Sequence, residues 1–460
     1  MDGLTAARQR MTDAGVAPQA IDVFSHFYEQ LRAGATGMIR EADVEPLAGI
    51  DRAAKVEVSQ AEARAAADAT VVIKLNGGLG TSMGMDQAKS LLPVRPGLSF
   101  LDIIAGQVQH VRRTLDVRLP LVLMNSFRTR DDTLAALAAY PDLAVPGLPL
   151  DFMQNLEPKL RADDLAPVEW PADPELEWCP PGHGDLYTAL QTSGVLDELL
   201  NAGYLYATVS NSDNLGAAPD PEMMAWFAAS GAPYAAEVCR RTPADVKGGH
   251  IVVRRSDGRL VLRETAQTPD EDVAAASDLT RHRYFHTNNL WFDLRVLKKT
   301  LDERGGILGL PLIRNRKTVD PTDPSSPEVI QIECAMGAAI EIFDGATAIE
   351  VDRSRFLPVK TTNDLLLLRS DIYGIGEDFV VRETAEPPLI DLDKRFYGTI
   401  ADFDARLPHP PSLVGARSFT VRGDWSFGER VVVCGDVVIE EGQDAPGGEV
   451  ARIVEGTELG

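Results

Sequence analysis

The sequence has few cysteines, and they do not occur in close pairs. The chain of 460 residues has four, Cys179, Cys239, Cys334 and Cys434, and no C-x-x-C motif. This argues against a disulfide framework and against a cysteine zinc site, and it makes a reducing cytoplasm the expected compartment. No apolar run is long enough for a membrane helix, and the N-terminus lacks a signal-peptide pattern, so no membrane partner is expected.

Positive charge is also scarce. Lysine and arginine number 45 against 69 aspartates and glutamates, which gives a net charge of -24. A general nucleic-acid binder carries a basic face, so nucleic acid is not an expected partner. A phosphate site would have to be built from local lysines, backbone amides and a metal ion. The length predicts two or three domains.

Short apolar runs alternate with helix patterns through the first half of the chain. Helix patterns begin after Pro18 and after Ser99, where Ser99 and Asp102 form a capping-box-like start. A third helix pattern runs from Asp220 to Gly231. The apolar runs that predict strands are 70–75, 119–124 and 205–209. This alternation predicts an α/β fold with a mainly parallel sheet.

The pattern changes after Pro233. Two β-branched runs at 251–255 and 260–263, joined by a Ser-Asp-Gly turn, predict a hairpin. Helix patterns return at 331–343 and 361–372.

An apolar residue recurs every six positions near the C-terminus, at Val421, Phe427, Val433 and Ile439, with glycines between them. A hexapeptide period indicates parallel β-helix coils, although a few ordinary hairpin strands would give the same pattern. None of the residues considered below for chemistry lies in this segment, and a short β-helix has open ends. We therefore expect the C-terminal segment to assemble the chain into a homo-oligomer.

A glycine-rich loop follows the first predicted strand of the sheet. Gly77, Gly78, Gly80 and Gly84 leave backbone N–H groups open to a phosphate chain. No Gly-Lys-Ser/Thr closes the loop, so it is not a P-loop, and its glycine spacing departs from G-x-G-x-x-G. From spacing alone, a phosphate-binding loop and a tight turn without a ligand both stay open. Lys89, just beyond the loop, could neutralise a polyphosphate or be an ordinary surface lysine.

Three further polar residues lie where a phosphate site could use them. Asp213 follows a predicted strand, so it could bind Mg²⁺ or form an Asx turn. His183 lies in a Pro-Pro-Gly-His-Gly loop and could present its imidazole or be a plain loop histidine. Lys360 ends an apolar run at a helix start, which suits a phosphate.

Together these segments resemble the eukaryotic-type UDP-glucose pyrophosphorylase family. The resemblance covers roughly residues 20–440, and its motifs occur in the family's order. One such motif would be weak, but seven in order are highly specific. The matching stretches are Lys74–Gly84, Val122–Phe127, Pro180–Asp185, Ser210–Gly216, Ala244–Gly249, Thr287–Trp291 and Arg355–Thr362.

The resemblance implies a Rossmann-like nucleotidyltransferase domain with a mainly parallel sheet, an N-terminal helical region and a C-terminal left-handed β-helix. We place these parts at residues 1–65 for the helical region, 66–385 for the catalytic domain and 386–460 for the β-helix. The implied reaction transfers the uridylyl group of UTP to glucose-1-phosphate, giving UDP-glucose and pyrophosphate. The implied cofactor is Mg²⁺.

The resemblance also implies roles for individual residues. The nucleotide is bound by Leu75, Asn76, Gly77, Gly78, Gln154, Gly182 and Asn211. The sugar phosphate is bound by His183, Gly249, Glu264 and Asn289, the metal by Asp213, and Lys89 and Lys360 are catalytic. In one departure, Gln87 and Ala88 stand where the family usually has Gly-Pro, which leaves the exact role of Lys89 open.

Two other function classes compete with this one. An NAD-dependent oxidoreductase needs G-x-G-x-x-G and an acidic residue about 20 positions on, whereas here the spacing differs and Asp102 falls in a helix pattern. A catalytically inactive sugar-nucleotide sensor would be expected to lack Lys360 or Asp213, and both are present. The sequence leaves open whether other hexose-1-phosphates are accepted.

Overall fold

The computed structural model describes residues 2–242, 245, 248–441 and 451–460. Part of the 244–249 motif and Gly442, one of the glycines of the six-residue repeat, lie outside these residues. The α-helices are α1 (Gly3–Asp13), α2 (Pro18–Arg32), α3 (Gln60–Asp68), α4 (Phe100–Leu115), α5 (Arg130–Leu137), α6 (Leu186–Thr192), α7 (Val195–Asn201), α8 (Pro221–Ser230), α9 (Val273–Ala276), α10 (Leu294–Glu303), α11 (Thr362–Arg369), α12 (Lys394–Tyr397) and α13 (Ile400–Arg406).

The strands are β1 (Val44–Pro46), β2 (Asp51–Arg52), β3 (Thr70–Asn76), β4 (Pro93–Arg95), β5 (Leu98–Ser99), β6 (Leu121–Asn125), β7 (Asp151–Met153), β8 (Glu157–Pro158), β9 (Leu160–Arg161), β10 (Trp178–Cys179), β11 (Tyr206–Asn211), β12 (Tyr234–Arg240), β13 (His250–Arg254), β14 (Leu260–Arg263), β15 (Tyr284–Asp293), β16 (Ile313–Thr318), β17 (Glu328–Glu333), β18 (Thr347–Glu350), β19 (Tyr373–Ile375), β20 (Val381–Glu383), β21 (Leu389–Leu392), β22 (Ser412–Val421), β23 (Trp425–Phe427), β24 (Val432–Ile439), β25 (Ala451–Ile453) and β26 (Glu458–Leu459).

A mostly parallel sheet forms the centre of the molecule, as the strand–helix alternation predicts. Its strand order is β2-β18-β12-β15-β11-β3-β6-β7. Only β15 runs antiparallel to its neighbours, β11 and β12. The predicted strands at 70–75, 119–124 and 205–209 correspond to β3, β6 and β11, which lie side by side. The fold class is therefore α/β.

Capping residues set the ends of the helices that flank this sheet. Ser99 and Asp102 form a complete capping box at the start of α4, as predicted. The Asp220 side chain accepts hydrogen bonds from the first turn of α8, and Gly231 ends that helix in a left-handed conformation. Thr361 and Asp364 likewise cap α11.

Two hydrophobic cores cover the two faces of the sheet. Leu121 and Leu123 of β6 face one core, and the alternate residues Val122 and Met124 face the other. The first core contains α4 and continues into the C-terminal strands, while the second contains the N-terminal helices α1 and α2. The N-terminal helix prediction is confirmed, because its apolar residues Ile21, Phe24, Phe27 and Leu31 are all buried in α2.

Two later predictions meet different outcomes. The hairpin forms from β13 and β14, but it pairs with β1 in a small sheet of its own. The helix predicted at 331–343 is right only in part, because this segment begins in β17 and becomes helical, as a 3-10 helix, only over Met336–Glu341. At its start, Ile332 continues the alternation of apolar and polar residues in β17 and pairs with Arg314 of β16, so a period of two applies up to Glu333.

The C-terminal strands are parallel, which rules out the hairpin alternative. Strands β21, β22, β24 and β26 pair in parallel, as do β23 and β25. Val421 pairs with Ile439, and all four residues of the six-residue repeat are buried. Two of them, Val433 and Ile439, share strand β24, so the repeat does not place one apolar residue on each strand.

In the described part of the chain, the helices are all too short or too polar to cross a membrane.

Candidate functional site

Three of the loops that carry predicted site residues lie at the carboxyl ends of parallel strands. The Gly77–Gly84 loop follows β3, Gln154 follows β7, and Asp213 follows β11. Because β3 lies between β11 and β6, these loops are neighbours along one edge of the sheet. This is the edge where open α/β sheets bind their ligands.

The glycine-rich loop depends on glycine at several positions. Gly80 and Gly84 have φ angles of 69° and 71°, which are left-handed conformations. A Cβ on Gly77 would lie 2.9 Å from Oε1 of Gln154, and a Cβ on Gly84 would lie 3.0 Å from Cβ of Thr399. Gly78 has nothing within 4 Å of that position. The loop is therefore closely packed on both sides of Gly78 but open at it.

Gln154 is held in a fixed orientation beside the loop. Its Nε2 donates to the carbonyl of Gly182 at 2.8 Å, and its backbone N–H donates to the carbonyl of Asn125 at 2.8 Å. The bond to Gly182 leaves Oε1 free to accept a hydrogen bond on the side of Gly77. The structure thus brings together Gly77, Gln154 and Gly182, all predicted to bind the nucleotide.

Leu75 and Asn76 lead into the loop, but their side chains are buried. Nδ2 of Asn76 donates to Oδ1 of Asn125 and to Oγ1 of Thr133, each at 2.8 Å. A ligand contact at Asn76 would therefore come from its backbone. Its nucleotide role stays a prediction.

Lys89 and Asp213 form an ion pair at the mouth of the loop. Nζ of Lys89 lies 2.7 Å from Oδ2 of Asp213 and also donates to the carbonyl of Val359. The two side chains are 14% and 21% exposed, so ligands can still reach them. The ammonium shows that a cation fits beside the Asp213 carboxylate. Among the described residues, no three His, Cys, Asp or Glu side chains are placed to hold a metal, so phosphate and water would complete its shell.

Lys360 follows Val359, whose backbone bonds both Lys89 and Asp213, but its own side chain has no such partner. Its backbone N–H donates to Oδ2 of Asp364 at 2.9 Å, which joins it to the capping box of α11. Its exposed side chain forms no hydrogen bond or ion pair with any described residue. Burial raises the pKa of Glu264, and the nearby charge of Lys360 opposes that shift. An unpaired ammonium at this edge suits an anionic ligand.

His183 presents an N–H donor rather than a charge. Its Nδ1 accepts a hydrogen bond from the backbone N–H of Met336 at 3.0 Å. Burial lowers the pKa of His183, with the carboxylate of Glu333 working in the opposite direction. The ring is therefore neutral at pH 7 and carries its proton on Nε2.

Two other residues predicted to contact the sugar, Gly249 and Glu264, lie next to each other. Gly249 is close to Glu264, because a Cβ on Gly249 would lie 2.8 Å from its Oε1. The carbonyl of Gly249 accepts from the backbone N–H of His286 at 2.9 Å. Burial lowers the pKa of His286 to about 3, and the proximity of His183 adds to the shift. Gly249, Glu264 and His183 are thus connected through neighbouring groups.

Asn289 is buried and hydrogen-bonded within the protein. Its Nδ2 donates to Oε2 of Glu237 at 3.0 Å and to the carbonyl of Arg355 at 3.1 Å, while its Oδ1 accepts from Asn214. With 1% of its surface exposed and both ends of the amide bonded, its side chain is occupied by the protein. A direct sugar contact by Asn289 stays a prediction.

Asn211, the remaining nucleotide-binding prediction, lies at the end of β11. Its Oδ1 accepts from Nδ2 of Asn288 at 3.2 Å. Asn288 has a φ of 61°, an uncommon conformation for a residue other than glycine. The polar contact fixes Asn211 at the carboxyl edge of the sheet.

Sequence reasoning missed a buried group of charges beneath the site. Glu237 is fully buried and paired with Arg355, through Oε1–Nη2 at 2.7 Å and Oε2–Nε at 2.8 Å. Although burial works against it, this guanidinium holds the pKa of Glu237 below its usual value. Nζ of the fully buried Lys74 donates to Oγ of Ser210 at 2.8 Å. The sequence signal that could have indicated this buried group is a charged residue inside an otherwise apolar strand, Lys74 in β3 and Glu237 in β12.

The arrangement can bind and neutralise a polyphosphate. It offers glycine-loop amides, two lysines, a neutral imidazole donor and a carboxylate that holds a cation. These groups stabilise negative charge by position and electrostatics, which is what phosphoryl and nucleotidyl transfer require.

Comparison with known proteins gives a consistent result. A family model described as UTP–glucose-1-phosphate uridylyltransferase matches residues 21–434. The chain is 41% identical to an enzyme of that name from Hordeum vulgare over 381 residues, 82% of this chain and 78% of that protein. It is 39% identical to the Saccharomyces cerevisiae enzyme of that name over 391 residues, 83% of this chain and 77% of that protein.

Solved structures agree over almost the whole chain. The fold is similar to a UDP-glucose phosphorylase from Trypanosoma brucei, with a TM-score of 0.90, 42% identity and coverage of 99% of this chain and 98% of that one. A variant of UDP-glucose pyrophosphorylase from Leishmania major, solved in complex with UDP-glucose, gives a TM-score of 0.91, 41% identity and coverage of 100% and 98%.

Proposed function

The chain belongs to the UTP–glucose-1-phosphate uridylyltransferase family, and we propose that the residues at the carboxyl edge of its sheet carry out that family's reaction. The enzyme transfers the uridylyl group of UTP to glucose-1-phosphate, giving UDP-glucose and pyrophosphate. The convergence of the glycine loop, the Lys89–Asp213 pair and the unpaired Lys360 on one edge supports this site.

The base of UTP would be read by Gln154. Because Nε2 donates to the carbonyl of Gly182, Oε1 is presented as an acceptor and the second Nε2 hydrogen stays available. Uracil offers a donor at N3 and an acceptor at O4, which matches this pair. Cytosine offers the opposite pattern on that edge. Gly77 and Gly78 bring backbone amides to the rest of the nucleotide.

The phosphate chain would be neutralised from two sides. We assign Lys89 and the loop amides to one side of it and Lys360 to the other. Asp213, with Lys89 beside it, would hold Mg²⁺, which supplies further charge neutralisation at the phosphates when bound. His183 donates Nε2–H to the phosphate of the sugar, and this donor is independent of pH near neutrality because the ring is already neutral.

The chemical step needs no general base. The nucleophile is a phosphate oxygen of glucose-1-phosphate, which is already an anion, and it attacks the α-phosphorus of UTP in line as pyrophosphate leaves. Two anions must approach each other, so catalysis consists of alignment and charge stabilisation. We assign the central cation of this step to Lys360. The sugar hydroxyls would meet the region of Gly249 and Glu264.

A pyrophosphate-release assay tests this proposal. The purified protein is given UTP, CTP, ATP or GTP, each with glucose-1-phosphate, galactose-1-phosphate or no sugar phosphate. We expect release that depends on both UTP and glucose-1-phosphate, together with UTP formation from UDP-glucose and pyrophosphate. Release that is indifferent to the base would contradict the assignment of Gln154. No release with any pair would contradict the reaction itself.

We also propose the finer organisation of the chain. The parallel pairing of β21, β22, β24 and β26 supports a left-handed β-helix over residues 386–460, following a helical region at 1–65 and a catalytic domain at 66–385. Residues Ser418–Val421 pair with residues 18 positions later, which equals three six-residue sides of one coil. The exposed apolar residues of this module support homo-oligomer formation through it. The four cysteines are free thiols, which supports a location in the cytoplasm.

A further inference from the structure

The short segment Arg355–Lys360 carries the proposed catalytic lysine, yet it belongs to no long helix or strand. The first residues after Arg355 are irregular, and α11 begins only at Thr362. The capping box of α11 holds the end of the segment through the N–H of Lys360, so other contacts must hold the preceding residues beside Asp213. The contacts of this segment identify what does so.

Asn214, directly after Asp213, binds the segment with its side chain. Its Oδ1 accepts from the backbone N–H of Leu357 at 2.8 Å, and its Nδ2 donates to the carbonyl of Arg355 at 3.1 Å. Nδ2 also donates to Oδ1 of Asn289 at 3.1 Å, and the Asn214 residue is 1% exposed. The amide therefore uses both ends to bind the backbone on either side of Phe356.

The backbones continue this contact towards Lys360. Asn214 and Pro358 form an isolated antiparallel bridge, and the N–H of Val359 donates to the carbonyl of Asp213 at 3.2 Å. A Cβ on Gly216 would lie 2.8 Å from the carbonyl carbon of Arg355, so only glycine allows this approach. The metal-side loop and the lysine-side segment are in direct contact from Asp213 to Gly216.

The far end of the segment is fixed in the core. The guanidinium of Arg355 pairs with the buried carboxylate of Glu237, which also accepts from Nδ2 of Asn289 and Nε1 of Trp291. A buried ion pair is a weak source of stability, because desolvation offsets its attraction. Its use here is geometric, since it holds the start of the segment against the sheet.

We propose that Asn214 is a positioning residue that sets the distance between Lys360 and Asp213 by binding the backbone of the Arg355–Lys360 segment. This inference rests on the proposed function of Lys360. Asn214 itself contacts no substrate in this account. Its loss should impair the chemical step, where small misplacements are costly, more than the binding of UTP.

The test uses Asn214→Asp, which keeps the shape of the side chain and the acceptor for Leu357. It replaces the Nδ2 donor by an oxygen that faces the Arg355 carbonyl. We expect kcat to fall by about 10- to 100-fold, while the Kd of UTP, measured by isothermal titration calorimetry, changes by less than about threefold. Gly216→Ala should displace the same segment by steric contact with the backbone of Arg355. It should likewise lower kcat while leaving the Kd of UTP nearly unchanged.

A double-mutant cycle separates positioning from general disruption. If Asn214 acts through Lys360, Asn214→Asp should change kcat by less than about threefold in a Lys360→Ala background. Tyr140→Phe is the control, because it also removes one side-chain hydrogen bond, to Oδ1 of Asp102, which is not part of the anchor of the segment. Its kcat should stay within about twofold of wild type.

The outcomes distinguish the inference from the function on which it rests. Equal fold-losses from Asn214→Asp in the wild-type and Lys360→Ala backgrounds would overturn the positioning role. Equal losses of kcat and UTP affinity would also overturn it. If Lys360→Ala keeps wild-type kcat, the proposed function of Lys360 fails first, and this inference fails with it.

Discussion

The two proposed catalytic lysines differ in whether they have an ion-pair partner. Lys89 is paired with Asp213 at 2.7 Å, whereas the side chain of Lys360 has no hydrogen-bond or ion-pair partner among the described residues. Removing Lys89 therefore also uncovers a carboxylate, while removing Lys360 takes away only a cation. Their substitutions should differ in kind as well as in size.

Lys89→Met should strengthen the binding of Mn²⁺, used in place of Mg²⁺, to the nucleotide-free protein. The ammonium and a metal ion compete for the same Asp213 oxygen, so its removal frees that ligand. We expect the Kd of Mn²⁺ to fall by about 3- to 10-fold, measured by electron paramagnetic resonance, while the affinity for UTP weakens. Asp213→Asn is the matched control and should abolish the gain. Unchanged Mn²⁺ binding in Lys89→Met would argue against a metal at Asp213.

Gln154→Ala should erode the preference for UTP over CTP. The orientation of the amide is set by Gly182, so the site presents an acceptor that suits N3–H of uracil. A hydrogen-bond mismatch at such a site is worth at least about tenfold in kcat/KM. The ratio of kcat/KM for the two nucleotides measures this directly, with the KM of glucose-1-phosphate as an internal control. Intact discrimination would mean that another group reads the base.

At the scale of the element, strand β3 carries an unusual buried charge. Lys74 is fully buried, and burial, assisted by the charge of Arg355, lowers its pKa to about 7. The unfolded chain keeps the proton up to the usual lysine pKa, while the folded protein releases it above about pH 7. The unfolded state therefore binds more protons in this window, and the Lys74 contribution to stability rises with pH.

Lys74→Met removes this dependence. The free energy of unfolding of wild type minus that of Lys74→Met should increase between pH 7 and 9.5, by at most about 1.4 kcal/mol per pH unit. Chemical denaturation of both proteins across that range gives the difference. A difference that is flat or falls with pH would show that Lys74 stays charged when folded.

Helices and strands that are specified by local sequence signals could be predicted from the sequence. The capping boxes at Ser99 and Thr361 and the β-branched run of β3 specify their own structure, and the structure confirms them. The helix predicted at 331–343 starts too early, because its first residues pair with β16, a partner that local pattern does not reveal, and helical structure begins only at Met336.

In the candidate site, too, some features could be predicted from local sequence and others could not. The glycine loop and Asp213 follow predicted strands, so their shared edge could be anticipated from a parallel sheet. The contacts of Asn214 and Asn289 could not, because they bind Arg355, which lies 141 and 66 positions further along the chain. Long-range polar contacts carry no periodic pattern in the sequence.

At the scale of the whole molecule, exposed apolar residues cluster in the C-terminal strands. Leu389, Val414, Val438 and Val454 are each more than half exposed. Leu389 is in register with Ser418 and Asp436, and Val438 lies two residues after Asp436, so Leu389 and Val438 share one outer face. Truncation is a poor test of this face, because the C-terminal module and the catalytic domain share one hydrophobic core.

Surface charges test the assembly proposal without disturbing that core. The double variant Leu389→Glu, Val438→Glu should lower the subunit number measured by size-exclusion chromatography with light scattering, because it places carboxylates in the proposed apolar interface. Val273→Glu, at an apolar position 44% exposed outside this module, is the control. Uridylyl transfer should persist in the double variant. A monomeric wild type would contradict the oligomer proposal.

The central claim is that catalysis consists of charge stabilisation by Lys360 between two anionic substrates. Single-turnover kinetics of Lys360→Ala test it most directly, with the exposed Lys299→Ala as the control for a lost surface lysine. The account predicts that the rate of UDP-glucose formation falls by about a hundredfold or more, while the Kd of UTP changes far less. A rate within about threefold of wild type would contradict it.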